Sequence, residues 1–195
     1  MRIRQASSSE VDACAAVLGR ALQNDEVIAA LIPGAHRREQ RLGSSYNASL
    51  RTGAFVDGVV DIVVSSTDEI LGVAAWEAPG HRTKTSTRLR QLPRYVRAIG
   101  VRHLPGALRA SRAFAEHRPS DPHWYLADIG IDPCAAGQGL GTELLRHRLA
   151  LIDRERTSAY LEATSAGSQR LYERFGFVAQ AILALPADTR ERCSG

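Results

Sequence analysis

The stretch that decides the fold is CAAGQGLGTELLRHRLALID, residues 134–153, where three glycines alternate with other residues directly before a helical pattern. It follows HWYLADIGI, residues 123–131, whose aromatic and β-branched residues predict a strand. Glycine is entropically costly in regular elements, so this density indicates that something approaches the backbone closely. A glycine loop between a strand and a helix leaves unpaired helical N–H groups at the positive end of the helix dipole. The stretch therefore predicts an anion site.

The glycine spacing excludes two common nucleotide loops. No Lys-Ser/Thr pair follows Gly141, so the loop is not of the P-loop type. The dinucleotide fingerprint needs the spacing G-x-G-x-x-G inside an early βαβ unit, and this stretch has neither feature. The residues by themselves leave two interpretations, a phosphate site or a glycine-rich turn without a ligand.

Strand and helix patterns extend on both sides of this stretch. Ser7 and Glu10 form a capping-box pattern, and Pro93 and Pro105 are expected to break or kink a helical run. The predicted elements are a strand at 2–5, a helix to about residue 22, a helix at 36–51, hairpin strands at 59–66 and 70–79, helical periodicity over 85–116, the strand 123–131, a helix at 139–154, a strand at 158–164, a helix at 168–176 and a strand at 177–185. Because a hairpin comes first and strands then alternate with helices, we expect one α/β domain over residues 1–195 with a mixed sheet.

The composition is that of an ordinary globular domain. Of the 195 residues, 44% are hydrophobic and 24% charged, which suffices for one core. The N-terminus lacks a secretory pattern and no apolar run is long enough to span a membrane, so we expect a cytoplasmic protein without membrane contact. The scattered Cys14, Cys134 and Cys193 lack metal-ligand spacing, so we expect reduced thiols and no metal site.

Positive charge is concentrated between His81 and Arg118, where Glu116 is the only acid. The basic residues of this segment are Arg82, Lys84, Arg88, Arg90, Arg94, Arg97, Arg102, Arg109, Arg112 and Arg118. The net positive charge of this segment exceeds the net charge of +4 of the whole chain, so the rest of the chain is slightly acidic. A solvated helical face explains this asymmetry, and a polyanionic partner is the alternative. We do not expect nucleic acid as that partner.

Two ordered motifs carry a family resemblance. They are WYLADIGIDPCAAGQGLGTELL, residues 124–145, and AYLEATSAGSQRLYERFGF, residues 159–177. Over roughly residues 117–178 the sequence resembles the Gcn5-related N-acetyltransferase (GNAT) family, and within it the branch that contains puromycin N-acetyltransferase. The resemblance implies acetyl-CoA as co-substrate and a mostly antiparallel central sheet with helices on both faces. It makes 117–178 the coenzyme-binding core, with a bulged strand that splays from its neighbour, and makes 81–118 a helical, lid-like insertion.

The resemblance also assigns coenzyme-binding residues. The diphosphate would lie against the backbone of Gly137, Gln138, Gly139, Leu140, Gly141 and Thr142. Main-chain groups of Ile129 and Ile131 would bind the pantetheine arm, and the Ile129 N–H would polarise the thioester carbonyl as an oxyanion hole. Gly130 is expected at the bulge of this strand. Ser168 occupies a position where the family often has a coenzyme-binding asparagine.

The sequence departs from the family pattern at two places. Ala136 replaces the polar first residue of the loop, so we expect weaker coenzyme binding that rests on backbone donors. The segment PADTRERCSG, residues 186–195, lacks the aromatic and the methionine of the strand with which relatives end. We expect either a shorter sheet or its completion by a second chain in a homodimer.

Acetyl transfer to an amine needs a proton donor for the thiolate and an acceptor for the amine proton. The resemblance places Tyr172 beside the coenzyme sulfur as the general acid. Glu162 is expected in a structural hydrogen bond. The base stays open among four side chains, which are Tyr125 at the family's position, His123, Asp128 and Glu77.

These observations predict an acetyl-CoA-dependent N-acetyltransferase that acts on the amine of a small molecule. Direct transfer is expected, since no cysteine falls within the motifs. An arginine-rich lid favours acceptors that carry phosphate or carboxylate. Two alternatives stay open: acetylation of a protein lysine or N-terminus, and a coenzyme-binding module without turnover.

Overall fold

A five-stranded sheet forms the centre of the computed structural model, which describes residues 1–81, 83 and 85–182. The strands are β1 (Arg2–Gln5), β2 (Gly58–Val64), β3 (Ile70–Glu77), β4 (His123–Ile131) and β5 (Ser158–Leu161), and they neighbour one another in this order. The first three pairings are antiparallel, and β4 pairs with β5 in parallel. The prediction of a mixed, mostly antiparallel sheet is confirmed.

Helices cover both faces of this sheet. They are α1 (Val11–Ala21), α2 (Glu26–Leu31), α3 (Arg38–Thr52), α4 (Thr85–Ile99), α5 (Leu104–His117), α6 (Leu140–Arg154) and α7 (Ala166–Glu173). Leu18 of α1 and Leu42 of α3 pack on one face, whereas Leu144 of α6 and Tyr172 of α7 pack on the other. Within the described ranges, no helix combines the length and apolar character needed to cross a bilayer.

Local sequence signals explain where some of the helices begin. The predicted capping box is present: Glu10 accepts from the Ser7 amide at 2.8 Å and starts the turn that leads into α1. Asp25 caps α2 by accepting from the Ile28 amide at 3.0 Å. Sequence periodicity missed α2 because its six residues are too few to show a repeat.

The helical run over 85–116 divides at a different place from the one expected. Pro93 lies inside α4, which continues through it, and Pro105 lies in the first turn of α5, where a missing N–H costs little. The chain breaks instead at Gly100, whose φ of +82° ends α4. The prolines therefore do not separate these two helices.

The strand predicted at 177–185 is wrong over residues 177–182, which form no strand. Val178 and Ile182 are 82% and 99% exposed, so these apolar side chains do not pack against the sheet. Residues 183–185 lie outside the described residues. The same is true of 186–195, on which the expectation of a shorter sheet or a homodimer was based.

Candidate functional site

β4 loses one of its neighbours halfway along its length. It pairs with β5 from His123 opposite Ser158 to Leu126 opposite Leu161, and no further. On its other side β4 stays paired with β3, but the register shifts so that Ala127 is an extra residue, which is a β-bulge. Beyond the bulge, the outer edge of residues 127–131 has no strand partner in the part of the chain that the structure describes. The bulged and splayed strand was predicted, and it is confirmed.

The ladder between β3 and β4 fixes where the main chain points beyond this bulge. The Asp132 amide donates to the Leu71 carbonyl at 2.8 Å. In an antiparallel ladder only every second residue bonds to the partner strand. Ile129 and Ile131 fall on the alternate positions, so their N–H and C=O groups point towards the open edge. Two donors and two acceptors are therefore available there.

Gly130 does not form the bulge, contrary to expectation. It pairs in register with Val73, and the extra residue is Ala127. A Cβ atom on Gly130 would lie 2.7 Å from the Cβ of Ala21 and 3.2 Å from Leu18 Cδ2. Glycine is required because α1 packs directly over the strand.

The loop that follows β4 exposes its backbone. Gly137 and Gly139 have φ values of +76° and +75°, which only glycine adopts without strain, and a Cβ on either would meet nothing within 4 Å. Gly139 caps α6 without a side-chain hydrogen bond, so the first amides of this helix have no intrahelical partner. Gln138 is exposed and Thr142 half-buried, whereas the Leu140 side chain is buried in the core. The loop can therefore offer main-chain donors to an anion.

Asp132 anchors this loop to α1. Its carboxylate accepts from the Cys134 amide at 3.1 Å and from Arg20 Nε at 2.8 Å. Burial raises the pKa of Asp132, but these hydrogen bonds outweigh it and leave the pKa below the ordinary value. The Asp132 contacts fix the position of the glycine loop relative to the open edge of β4.

The two predicted residues of α7 differ in their hydrogen bonding. Tyr172 is 7% exposed, and its hydroxyl makes no hydrogen bond to the described residues. Burial, with a smaller contribution from the Asp25 charge, raises the pKa of Tyr172 to about 12, so the phenol keeps its proton at neutral pH. The Ser168 hydroxyl instead belongs to the capping box of α7: it accepts from the Ser165 amide at 3.1 Å, and the Ser165 hydroxyl accepts from the Ser168 amide at 3.1 Å. Sequence reasoning missed this cap, although the spacing S-x-x-S resembles a capping box.

Three carboxylates come together on the sheet face that carries α1 and α3. Glu77, Asp128 and Glu162, here called the acidic cluster, come from the ends of two strands and from the bulged half of β4. Tyr125 donates to Glu162 Oε2 at 2.7 Å, and Arg118 lies 3.7 Å from Glu77 Oε2 and 3.8 Å from Glu162 Oε1. The expected structural hydrogen bond of Glu162 is present. Arg118 was not singled out as a site residue, because it was one of many arginines.

Loss of hydration changes the protonation of this cluster. It raises the pKa of Asp128 to about 7, helped by the negative charge of Glu77 and opposed by the Ser49 hydroxyl, which donates to Asp128 Oδ2 at 3.3 Å. Burial also raises the pKa of Glu162, and it raises that of Tyr125 well above 10. Tyr125 is thus a hydrogen-bond donor at neutral pH. Asp128 has the pKa that a general base requires.

His123 lies apart from these groups. It begins β4, six residues before Ile129, which corresponds to about 20 Å along a strand. Its Nδ1 lies 2.7 Å from the Asp121 carbonyl oxygen, and its ring packs edge-on against Tyr160. Of the four base candidates, Asp128, Glu77 and Tyr125 are brought to the acidic cluster and His123 is not.

The positive segment contributes one charge to the cluster, that of Arg118. The described arginine side chains of α4, α5 and the turn between them are exposed to solvent: Arg90, Arg94, Arg97, Arg102, Arg109 and Arg112. A solvated face therefore accounts for these six residues. Arg82, Lys84 and the side chain of Arg88 lie outside the described part.

Known proteins share both the sequence pattern and the fold. The chain matches the Acetyltransferase (GNAT) family over residues 62–177. A crystal structure from Corynebacterium glutamicum, described as histone acetyltransferase HPA2 and related acetyltransferase, is 29% identical with a TM-score of 0.73 over 96% of this chain and 88% of that one. A structure of a predicted acetyltransferase with acetyl-CoA from Clostridium acetobutylicum has the same fold at 15% identity, with a TM-score of 0.54 over 95% of each chain.

An uncharacterised N-acetyltransferase of Schizosaccharomyces pombe is 31% identical over 71 residues, which are 36% of this chain and 29% of that protein. The chain thus matches less than a third of the length of that relative. The family match nevertheless covers more than half of this chain and confirms the resemblance carried by the two motifs. The chain therefore belongs to the acetyltransferase (GNAT) family.

Proposed function

We propose that this protein transfers the acetyl group of acetyl-CoA directly to the amine of a small molecule. The observation that carries the proposal is the end of the pairing between β4 and β5 at Leu126, which leaves the main chain of Ile129 and Ile131 facing an open edge. A pantetheine arm fits such an edge as an added strand. The coenzyme diphosphate fits the bare amides at the start of α6, one loop further on.

Each predicted residue has a role in this arrangement. Backbone groups of residues 137–142 bind the diphosphate, and Ser168 lies at the start of α7 as a further coenzyme contact. The Ile129 N–H donates to the thioester carbonyl oxygen, where negative charge develops during the attack. Tyr172 protonates the departing thiolate, a role supported by its protonated, uncommitted hydroxyl.

Direct transfer agrees with the state of the described cysteines. Cys134 is exposed beside the loop, and its hydrogen bond to Asp132 raises the pKa of its thiol. Cys14 is buried, and burial raises its pKa to about 12. A thiol with a raised pKa is a poor nucleophile at neutral pH. The amine therefore attacks the coenzyme itself and not an acetyl-enzyme.

A small acceptor is favoured by the helices that follow β3. α4 packs on α3, where Arg41 Nε donates to the Ala98 carbonyl at 2.9 Å, and α5 leads directly into Arg118 at the acidic cluster. We assign these helices the role of a lid. A protein lysine is the second candidate acceptor, because the Corynebacterium structure is described as a histone acetyltransferase.

The proposal is tested by calorimetry with acetyl-CoA and by thiol release with a panel of small amines and lysine peptides. We expect coenzyme binding, and release that depends on a small amine. Release with peptides alone would replace the small-molecule assignment by the protein one. Binding without any release would make the protein a coenzyme-binding module.

Tyr172→Phe should lower kcat by about 100-fold or more, because the thiolate loses its proton donor. Since the ring stays in place, acetyl-CoA affinity and the melting temperature should be unchanged. Steady-state thiol release gives kcat and calorimetry gives the affinity. A variant with the wild-type kcat would remove Tyr172 from the mechanism.

A further inference from the structure

The acidic cluster carries more negative charge than its surroundings balance. Arg118 is shared between Glu77 and Glu162, at 3.7 and 3.8 Å. Asp128 has one hydrogen-bond partner in the described chain, the Ser49 hydroxyl, and no cation within ion-pair distance. Carboxylates removed from water without a counter-charge are costly. The cluster therefore lacks a positive charge on the side of Asp128.

Tyr46 gives an independent indication of a missing ligand group. It lies on α3 one turn before Ser49, and it is 6% exposed. Its hydroxyl is buried and has no hydrogen-bond partner in the described ranges. Burial and then the charge of Asp128 raise its pKa well above 10, which places this hydroxyl in the field of the same carboxylate. A buried hydroxyl without a partner is rare in folded proteins and indicates that a ligand supplies the partner.

An organic cation would supply the positive charge that this side of the cluster lacks. The described residues contain no set of three His, Cys, Asp or Glu side chains that could hold a metal. An alkylammonium group brings one positive charge and three N–H donors. It matches two carboxylates, those of Asp128 and Glu77, and the oxygen of Tyr46.

We propose that Asp128, Glu77 and Tyr46 form the acceptor subsite for a cationic aliphatic amine, and that Asp128 takes the proton of the reacting ammonium group. This inference rests on the proposed acetyl transfer, because Ile129, which would hold the thioester carbonyl, directly follows Asp128. An acceptor with a second ammonium group satisfies Glu77 as well. The acceptor class is an aliphatic diamine. Acceptors with carboxylate or phosphate near the amine are rejected, contrary to the expectation from the arginine-rich segment, whose described arginines on α4 and α5 are exposed to solvent.

The proton balance of the reaction is closed by these groups. Asp128 removes one proton from R–NH₃⁺, and the freed lone pair forms the C–N bond to the thioester carbon. The C–S bond breaks and its electron pair stays on sulfur, which receives a proton from Tyr172. The nitrogen gives up its second surplus proton as the amide forms, and this proton restores the Tyr172 phenol through solvent. Asp128 returns its proton to water.

The subsite is tested with three acceptors of equal length: 1,4-diaminobutane, 4-amino-1-butanol and 4-aminobutanoate. We expect kcat/KM to fall in this order, with the diamine exceeding the amino acid by at least about tenfold, because like charges in contact cost several kcal/mol. Equal rates for all three would overturn the inference while leaving acetyl transfer intact. Absence of coenzyme binding in calorimetry would overturn the proposed function itself.

Asp128→Asn should abolish most of the activity and change its pH dependence. In the wild type, kcat/KM for the diamine should drop about tenfold per pH unit below pH 7, where Asp128 becomes protonated, and be level above it. The charge of Glu77 and the Ser49 hydroxyl act directly on this titration. Tyr46 and Tyr125 also face the charge of Asp128, and Glu162 and Arg118 lie against Tyr125. In the Asp128→Asn variant, kcat/KM should no longer fall below pH 7. Asp153 is an exposed residue of α6, and Asp153→Asn should keep both the wild-type kcat/KM and its pH dependence.

A stability measurement separates this role from a structural one. Because the pKa of Asp128 is raised on folding, the folded state binds more protons than the unfolded one between about pH 4 and 7, and stability falls as the pH rises through this window. Asparagine does not titrate, so the Asp128→Asn variant does not lose stability in this way. The melting temperature of the variant at pH 8 should therefore exceed that of the wild type. A stable, inactive variant with unchanged acetyl-CoA affinity supports the subsite. A variant that melts lower and keeps the wild-type pH limb contradicts it.

Discussion

Gly139→Asp should weaken the binding of acetyl-CoA by at least about 100-fold, because it places a carboxylate against the first amides of α6, where we propose that the coenzyme diphosphate binds. The position is suited to this test, since a Cβ there meets nothing within 4 Å and the new side chain needs no repacking. Gly139 has a φ of +75°, so the substitution also strains the backbone. Aspartate is one of the residues that tolerate this region best.

Two matched variants separate charge from strain. Gly80→Asp introduces the same side chain at φ +77°, also with nothing within 4 Å, but outside the loop. It should leave coenzyme affinity unchanged. Gly139→Ala adds strain of about 1–2 kcal/mol without charge, so affinity should fall by no more than about tenfold. Calorimetry with acetyl-CoA measures all three, and equal affinities for Gly139→Asp and Gly80→Asp would exclude the diphosphate from residues 137–142.

The strand, loop and helix that we propose to bind the coenzyme were predictable because their signals are local. A strand, a glycine loop and a helix follow one another between residues 123 and 154, and the observed bounds of β4 are those predicted. Left-handed glycines and a helix N-terminus are properties of a few consecutive residues. Sequence therefore predicted the position of the exposed loop amides without knowledge of the rest of the fold, and anion binding there stays a prediction.

The bulge could not be located in this way. Gly130 was the natural candidate, since a strand interior disfavours glycine. The reason for this glycine lies in α1, more than a hundred residues earlier in the chain, where Leu18 and Ala21 contact it. Nothing in the sequence around Ala127 indicates that it is the extra residue of the bulge. Residues two apart on a regular strand point to the same face, but an extra residue between them reverses this. Leu126 therefore packs in the core with α6, whereas Asp128 lies on the side of α3.

The acceptor subsite that we propose depends on this change of face. Counting back from the glycine loop gave Tyr125 as the family's base position, whereas the bulge at Ala127 brings Asp128 to Ser49 and to the field of Glu77. These residues come from α3, β3 and β4 and are far apart in sequence. The orphaned hydroxyl of Tyr46 is a property of packing that no periodicity reveals.

A buried ion pair that sequence reasoning also missed holds α6 in place. Arg148 donates from Nε to Asp61 Oδ2 at 2.8 Å and from Nη2 to Oδ1 at 2.6 Å. The two side chains are 6% and 0% exposed. Asp61 lies in the middle of β2, so this bidentate pair ties the helix that begins at the coenzyme loop to the sheet.

Arg148→Met should lower the free energy of unfolding by about 3–5 kcal/mol, because it leaves the Asp61 carboxylate buried without a partner. For a chain of this length the melting temperature should fall by about 10 °C. Arg146→Met is the matched control on the same helix. Its side chain is 58% exposed and pairs with Glu143 at the surface, so it should cost less than about 1 kcal/mol.

The double variant Asp61→Leu with Arg148→Met decides whether the loss comes from the orphaned charge. Replacing a buried ion pair by apolar side chains is often neutral or stabilising, so the double variant should recover most of the stability that the single one loses. Urea unfolding at constant pH gives the free energies. A double variant as unstable as Arg148→Met would mean that packing around α6, and not the charge of Asp61, sets the cost. The position of α6 would then depend on the packing of its apolar residues Leu144, Leu145 and Ile152.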